Sequence, residues 1–188
     1  RDRDVTGVQT CALPISGSGK TTVCRMLGER LGVEVVISGH IFRQMAKERG
    51  MSLPDFGRLC EADPKADLEL DKRMVEIARS NENVCLEGRL TAYMLTRHGI
   101  DALRVLLTAD ISERSRRVAE REGGSSEQRM REIEEREACE AKRYLTYYDI
   151  DVGDRSVYDL VIDTTHIPAE EVAGMIIREV NERGRDAR

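Results

Sequence analysis

The sequence predicts an α/β fold in which helices cover both faces of a parallel β-sheet. Short apolar runs alternate along the chain with segments whose apolar residues recur at helical spacing. A glycine-rich turn, residues 17–22, stands before the first helical segment, where a first strand should end. The chain has 188 residues, the size of one ordinary domain. Ligands of such sheets bind at the carboxyl ends of the strands.

The elements follow in order from this periodicity. A helix is predicted from the glycine-rich turn to about Gly32, and a strand at residues 35–37. Three helices are predicted to begin next, at Gly39, Ser52 and Pro64. Serine and proline are typical of the first positions of a helix. The later strands are predicted at residues 84–86, 103–107 and 160–162, with a helical piece near residues 93–94.

Capping residues mark the remaining helices. Asp110 with Glu113 forms a predicted capping box, and Ser125 with Gln128 can begin a long helix that reaches about residue 148. Residues 123–124 are glycines that separate these two helices, and a final helix follows Pro168. Strands thus alternate with helices throughout.

The glycine-rich turn predicts a phosphate site. Its backbone N–H groups can point inward around phosphate oxygens, Lys20 can reach the β- and γ-phosphates, and the Thr21 hydroxyl can ligate Mg²⁺. The helix that follows adds its positive dipole end. The alternative is a flexible turn that merely caps a helix. The full motif requires a glycine at position 14, where this chain has Pro14.

The first fifteen residues do not read as a first strand. A buried parallel strand is normally a run of Val, Ile and Leu, whereas residues 1–15 are charged, then polar, and include Pro14. Residues 5–15 resemble a translated sequencing adapter, so we expect residues 1–15 to be an artefactual head and residues 16–188 to be the domain. The alternative is a genuine, unusual N-terminus. Residues 8–15 are still expected to take the first-strand position.

Composition narrows the functional class. Hydrophobic residues make up 40% and charged residues 35% of the chain, which is typical of a soluble globular protein. The net charge of −5 argues against a general nucleic-acid binder, and no apolar run has the length of a membrane span. The five cysteines lack paired or metal-type spacing, which is typical of a cytoplasmic protein. We expect no membrane or nucleic-acid partner, and a monomer.

Charged residues at strand ends are candidates for the site. Arg89 follows a strand and a glycine, where a buried arginine needs an anionic partner such as phosphate. Glu87 is positioned to hold Mg²⁺ or its waters, or alternatively only to pair with Arg89 or Lys20. Arg43 lies one turn into the helix after Ser38, and it either faces the same cleft or is a surface residue.

Further arginines share helix faces. Arg114, Arg117 and Arg121 lie at i, i+3 and i+7, a spacing at which like charges repel. Arg136 and Arg143 lie two turns apart, with a glutamate between them. Each group either meets nucleotide phosphates, which the planar guanidinium binds bidentately, or forms a solvated salt-bridge face.

Together these motifs resemble the archaeal-type cytidylate kinases of the nucleoside monophosphate kinase family. The resemblance runs from Ser16 almost to the C-terminus and excludes the first fifteen residues. The matching stretches are residues 16–22, 36–39, 42–43, 46–53, 61–64, 86–89, 121–123, 135–137, 140–144 and 158–164. It implies a P-loop three-layer fold with a five-stranded parallel sheet. It also implies a monophosphate-binding segment at residues 38–83 and a mobile lid at about residues 114–148.

The resemblance also implies site roles. It places the ATP phosphates on Ser16, Gly17, Ser18, Gly19, Lys20, Thr21 and Thr22, and adenine near Thr164. It implies an acceptor site at Ser38, Gly39, Arg43, Gly88 and Arg89, and Mg²⁺ at Thr21 and Glu87. The implied catalytic residues are Lys20, Arg89, Arg117, Arg121, Arg136 and Arg143.

The activity that the resemblance implies is ATP-dependent phosphorylation of CMP, and of dCMP. One alternative is another small-molecule kinase of this fold, whose acceptor is an adenylate, a uridylate or a hydroxyl. A hydroxyl acceptor would need a base, for which Asp63 or Asp67 is available. A second alternative is a non-catalytic nucleotide-binding module, against which the acceptor-side arginines argue. Base specificity rests on the resemblance alone.

Overall fold

A single parallel sheet organises this computed structural model, which describes residues 9–12 and 16–186. The strands are β1 (Gln9–Ala12), β2 (Glu34–Ile37), β3 (Val84–Glu87), β4 (Leu103–Thr108) and β5 (Leu160–Asp163). They form a five-stranded sheet in the order β2-β3-β1-β4-β5, and every neighbouring pair is parallel. The carboxyl ends of the strands therefore meet along one edge.

Eight helices connect or flank these strands among the described residues. They are α1 (Lys20–Leu31), α2 (Ser38–Glu48), α3 (Leu53–Ala62), α4 (Lys65–Ser80), α5 (Thr91–Arg97), α6 (Ile111–Glu122), α7 (Ser126–Tyr148) and α8 (Ala169–Asp186). None of the helices described is both long and apolar enough to cross a membrane.

Both faces of the sheet are covered by helices. On one face, Leu27 of α1 and Ile176 of α8 pack against Val105 of β4 in one apolar cluster. On the other face, Met74 of α4 and Leu95 of α5 pack in a second cluster with residues of β3. The side chains of β3 alternate between the two clusters, as the twofold period of a strand requires. The predicted α/β class with a covered parallel sheet is confirmed.

Two helical groups extend beyond the sheet at its carboxyl edge. Helices α2, α3 and α4 share a small core around Met45 and Phe56, both fully buried. Helix α7 packs through Tyr144 and Tyr148 against Val75 of α4 in another cluster. The space between α2, α3, α4 and α7 opens next to the ends of β2 and β3.

One capping prediction is confirmed and the other is wrong. The Ser125 hydroxyl accepts a hydrogen bond from the Gln128 backbone N–H at 3.1 Å, as predicted. Asp110 makes no side-chain cap at the start of α6. In a capping box, the Glu113 carboxylate would accept a hydrogen bond from the Asp110 backbone N–H. That N–H instead donates to Thr165 Oγ1 at 2.9 Å. The Glu113 carboxylate pairs with Arg116 and Arg117.

The N-terminal segment contributes the central strand. Residues 9–12 form β1 between β3 and β4, with Ala12 in register with Glu87. This is the position that residues 8–15 were expected to take. Pro14, on which the departure from the phosphate-loop motif depends, lies outside the described residues.

Candidate active site

The glycine-rich loop has the backbone conformation that its glycines predict. Gly17 and Gly19 both have a φ of 83°, in the left-handed region that favours glycine. A Cβ on Gly17 would lie 2.6 Å from the Arg114 carbonyl oxygen, so only glycine fits where the loop passes α6. Helix α1 begins at Lys20 with no side-chain cap. The first N–H groups of α1 are therefore available to an anion.

Two residues hold this loop against the sheet edge. Thr164, just after β5, is buried, and its Oγ1 lies 3.0 Å from the Ser18 carbonyl oxygen and 2.9 Å from that of Thr108. Arg117 of α6 donates to the Gly17 carbonyl oxygen at 3.3 Å and to the Thr164 carbonyl oxygen at 2.8 Å. Its Nε also donates to Glu113. In this conformation both residues position the loop.

Glu87 meets the loop at the end of β3. The Thr21 hydroxyl donates to Glu87 Oε2 at 2.7 Å, and Lys20 Nζ lies 3.6 Å from Glu87 Oε1. Glu87 is only 5% exposed. Burial lowers the pKa of Lys20, Glu87 opposes this shift, and the positive charge of Arg89 adds to it. A hydroxyl and a carboxylate oxygen at the phosphate loop are the hard donors that Mg²⁺ prefers.

No group of three or more His, Cys, Asp or Glu side chains that could hold a metal is present in the described part of the chain. Magnesium bound with nucleotide needs no such group, because phosphate oxygens and water complete its coordination. Cys24, Cys60 and Cys85 are free and buried.

A cavity of about 410 Å³ adjoins the loop and is lined by all five predicted acceptor residues. It lies between α2, α3, α4, α7 and the turn after β3. The predicted site residues that line it are Ser38, Gly39, Arg43, Gly88, Arg89, Arg136 and Arg143. Gly88 allows this wall to form, because a Cβ there would lie 2.3 Å from Thr91 Oγ1 and 3.2 Å from Ser38 Cβ.

Arginines and a glutamate form one side of the cavity. Arg89 pairs with Glu140 of α7, and Arg136 Nε donates to the other oxygen of Glu140 at 3.0 Å. Burial and the neighbouring Arg136 lower the pKa of Arg89 to about 10. Arg89 is largely buried and Arg136 is exposed, and two cations that share a single carboxylate retain positive charge for an anionic ligand.

Two carboxyl groups lie in the cavity wall on α4. Asp67 Oδ2 is 3.0 Å from Arg143 Nε, and Asp71 Oδ2 accepts a hydrogen bond from the Tyr148 hydroxyl at 2.6 Å. Burial raises the pKa of Asp67, an effect that Arg143 opposes. Burial also raises the pKa of Asp71, to about 7, with the Tyr148 hydrogen bond opposing it and Asp67 adding to it.

The remaining predicted arginines lie elsewhere. Arg121 is exposed, pairs with the adjacent Glu122 and does not line the cavity. Arg114 is buried and pairs with Glu137 of α7, which joins the two helices of the predicted lid region. Arg43 is exposed and also lines the cavity, so it is both a surface residue and a residue that faces the cleft.

The sequence interpretation assigned no role to Glu140 or Asp71, and considered Asp67 only as a base. A signal for Glu140 was present, since it lies four residues after Arg136 and three before Arg143 on one helix face. The partners of Asp67 and Asp71 depend on how α7 packs on α4, which no local pattern records.

Comparisons with known proteins found similar sequences and similar folds. Residues 15–166 match the "cytidylate kinase-like family". The chain is 43% identical over 170 residues to a cytidylate kinase of Methanococcoides burtonii, covering 90% of this chain and 95% of that one. It is 46% identical over 162 residues to a cytidylate kinase of Pyrococcus abyssi, covering 86% and 87%. A gluconokinase structure from Sinorhizobium meliloti superposes with a TM-score of 0.62 at 12% identity, covering 97% and 96%, which shows a common P-loop kinase fold.

Proposed function

The chain belongs to the cytidylate kinase-like family, and we propose on this basis that it transfers the γ-phosphoryl group of ATP to CMP, and more weakly to dCMP. The observation that carries the proposal is the arginine-lined cavity beside the phosphate loop. A protein that only bound ATP would not need a second cationic pocket next to Lys20. The relatives named cytidylate kinase support CMP as the acceptor.

The acceptor needs little chemical activation. The second pKa of a phosphate monoester is near 6, so CMP is largely a dianion at neutral pH and can attack without a general base. The reaction instead requires two anionic substrates to be held close together and their charge to be neutralised. Lys20 at the loop, together with Arg89 and Arg136 in the cavity wall, supplies that charge.

The donor site is proposed at residues 16–22. The loop N–H groups and Lys20 would bind the ATP phosphates, and adenine would lie near Thr164. Thr21 and Glu87 would hold Mg²⁺, which neutralises the transferring phosphate when bound. The Thr21 hydroxyl oxygen, at the loop, lies 2.7 Å from Oε2 of the buried Glu87 carboxylate.

The acceptor phosphate is proposed to bind Arg89 with Arg43, at the cavity end nearest the loop. Residues 38–83 would form the monophosphate-binding segment, and residues 114–148 the lid. Arg117, Arg121, Arg136 and Arg143 would move with the lid, and closure would exclude water and limit ATP hydrolysis. We further propose a cytoplasmic monomer that binds neither nucleic acid nor membranes.

One observation favours a second candidate, a kinase for a hydroxyl acceptor. Asp67 is a buried carboxylate in the acceptor cavity, where a base for a hydroxyl group would be needed. Its Oδ2 lies 3.0 Å from Arg143 Nε, and this cation opposes the rise in the pKa of Asp67 that burial causes, which makes the carboxylate a weaker base than burial alone would. A phosphate acceptor is therefore the better match.

Measuring ATP consumption with a panel of acceptors tests the proposal. The panel contains CMP, dCMP, UMP, AMP, a sugar acid and a reaction without acceptor. We expect the highest kcat/KM with CMP and a low rate without acceptor. Faster turnover of AMP or of the sugar acid would contradict the proposal, and nucleotide binding without turnover of any acceptor would indicate a binding module.

A further inference from the structure

The acceptor cavity has two chemically different ends. Near the loop lie Arg89 and Arg136, whose charges are close enough to lower the pKa of Lys20. The other end is formed by α3 and α4 and includes Cys60, Asp67 and Leu70. Arg143 lies seven residues after Arg136 on α7, which corresponds to a rise of about 10 Å along the helix. A nucleoside monophosphate whose phosphate binds near Lys20 would therefore place its base near Asp67 and Arg143.

Asp67 has an unfilled hydrogen-bonding capacity at this end. The residue is 7% exposed, and its Oδ2 is buried without a hydrogen bond. Arg143 Nε is 3.0 Å away, but the two atoms lack the alignment of a hydrogen bond, and this Nε is also without one. Oδ2 and Nε face each other and have almost no exposed surface, but Asp67 and Arg143 both line the cavity and keep 10% and 20% of their side chains exposed. A ligand with a donor and an acceptor side by side would therefore bind the remaining polar atoms of these two side chains.

Asp71, one turn further along α4, differs from Asp67 in its hydrogen bonding. The Tyr148 hydroxyl already donates to its Oδ2 at 2.6 Å. Within the described part of the chain, Asp71 Oδ2 therefore has a hydrogen-bond partner, whereas Asp67 Oδ2 has the ion pair with Arg143 and no hydrogen bond. The two residues provide a matched comparison, since both are aspartates of one helix that line the same cavity.

We propose that Asp67 and Arg143 select the pyrimidine base by reading the edge at positions 3 and 4. This inference rests on the proposed function. In cytosine, the 4-amino group is a donor and N3 is an acceptor, which matches a carboxylate that only accepts and a guanidinium that only donates. In uracil, O4 is an acceptor and N3–H is a donor, so both positions are mismatched. Adenine presents the same pair of groups as cytosine, so this pair separates CMP from UMP and leaves purine rejection to cavity shape.

The test compares three acceptors in the wild-type protein and in Asp67→Asn. They are CMP, UMP and the 5′-monophosphate of the 2-pyrimidinone ribonucleoside, which is CMP without its 4-amino group. We expect the wild type to favour CMP over both others by about tenfold to a hundredfold in kcat/KM, the scale of a hydrogen bond to a charged group. In Asp67→Asn this preference should fall by at least about tenfold, because an amide can accept from the amino group or donate to O4.

Asp71→Asn is the matched control, and its ratio of CMP to UMP turnover should equal that of the wild type. A changed ratio in Asp71→Asn with an unchanged ratio in Asp67→Asn would overturn the assignment. An equal loss with all three acceptors in Asp67→Asn would also overturn it, because a residue that reads the edge of the base cannot affect these three acceptors alike.

The wild-type comparison does not depend on the variant folding. Equal kcat/KM for CMP and its 2-pyrimidinone analogue would show that the 4-amino group is not read, and would overturn the inference while leaving CMP phosphorylation intact. A wild-type protein that does not phosphorylate CMP would instead overturn the proposed function, and this inference with it.

Discussion

Thr21, in the first turn of α1, donates its hydroxyl hydrogen to Glu87 at the end of β3, with the two oxygens 2.7 Å apart. This contact joins the phosphate loop to the neighbouring strand. Lys20 Nζ lies 3.6 Å from the other carboxylate oxygen, so Glu87 contacts two successive residues of α1. The geometry supports both interpretations of Glu87, because a carboxylate that pairs with Lys20 can also serve a magnesium ion.

Glu87→Gln tests the proposed metal role. Glutamine keeps an oxygen that can accept the Thr21 hydrogen bond, but it loses the charge that favours Mg²⁺. We expect the Mg²⁺ concentration for half-maximal turnover to rise about tenfold or more, the scale measured when groups that support a metal are removed. A Mg²⁺ titration at saturating ATP and CMP measures this. An unchanged Mg²⁺ requirement would assign Glu87 to pairing with Lys20 alone.

Lys20→Ala should lower kcat by at least about two orders of magnitude, the effect expected when one contact to transition-state charge is lost. The melting temperature should change little, because Lys20 lies at the loop and contributes no apolar contact to the sheet core. Lys72→Ala is the matched control, since Lys72 is exposed on α4, where it pairs with Glu76. Its turnover should equal that of the wild type, and unchanged turnover in Lys20→Ala would contradict the phosphate-loop assignment.

Arg89→Ala should raise KM for CMP and lower kcat while ATP affinity changes little. Arg89 follows β3 and faces the cavity, on the acceptor side of Lys20. Removing it also leaves Glu140 with Arg136 as its remaining cationic partner. Steady-state kinetics with each substrate varied, together with titration of an ATP analogue, separate the two sites. A variant with weak ATP binding and normal KM for CMP would reverse them.

Asp71 should make stability depend on pH. Its pKa is raised to about 7 in the folded protein, above the value near 4 of an unfolded aspartate. The folded state therefore binds more protons between these values, and stability falls as pH rises from about 4 to 7. Three groups face Asp71: Tyr148 donates to it, Arg143 favours its ionisation, and Asp67 opposes it.

Asp71→Asn removes this titration and keeps an oxygen for Tyr148. The melting temperature of the variant minus that of the wild type should therefore increase as pH rises from 5 to 7.5. The change corresponds to a few kcal/mol at most, since one pKa unit is about 1.4 kcal/mol. Melting curves of both proteins without nucleotide measure the difference. Parallel pH profiles would show that Asp71 titrates normally.

The loop and the strand ends were predictable because their chemistry is local. Glycines with positive φ, a lysine at the helix start and Glu87 after an apolar strand are all adjacent to their elements in sequence. Parallel strands then bring these ends to one edge of the sheet. The partners of Arg89 and Arg143 were not predictable, since Glu140 and Asp67 meet them only after α7 packs on the neighbouring elements.

The Asp110 capping box shows how tertiary contacts override a local signal. The sequence at the start of α6 fits the motif, but Thr165 follows β5 and accepts the hydrogen bond of the Asp110 N–H. Glu113 is then available to Arg116 and Arg117. Arg117 in turn holds the loop at Gly17, a contact that spans 100 residues of sequence.

The last prediction concerns the segment before the loop. Residues 9–12 are the sequence Gln-Thr-Cys-Ala, and they form the central strand of the sheet. Central parallel strands are normally rich in Val, Ile and Leu. Position 14 carries a proline, which lacks an N–H and fixes φ near −65°, where the motif has a glycine. We therefore expect both the sheet and the donor-phosphate site to be weaker than a native-like segment would make them.

Replacing residues 8–15 with an apolar strand that has glycine at position 14 should raise the melting temperature and tighten ATP binding. The restored glycine adds an N–H and can adopt conformations closed to proline, while Lys20 and its contact with Glu87 remain the same in both proteins. Changing Pro14→Gly alone is the matched control, and it should improve ATP affinity with a smaller gain in stability. Calorimetric titration with an ATP analogue and melting curves of the three proteins separate the two effects. Equal affinity and equal stability in all three would show that the first fifteen residues serve this protein as they stand.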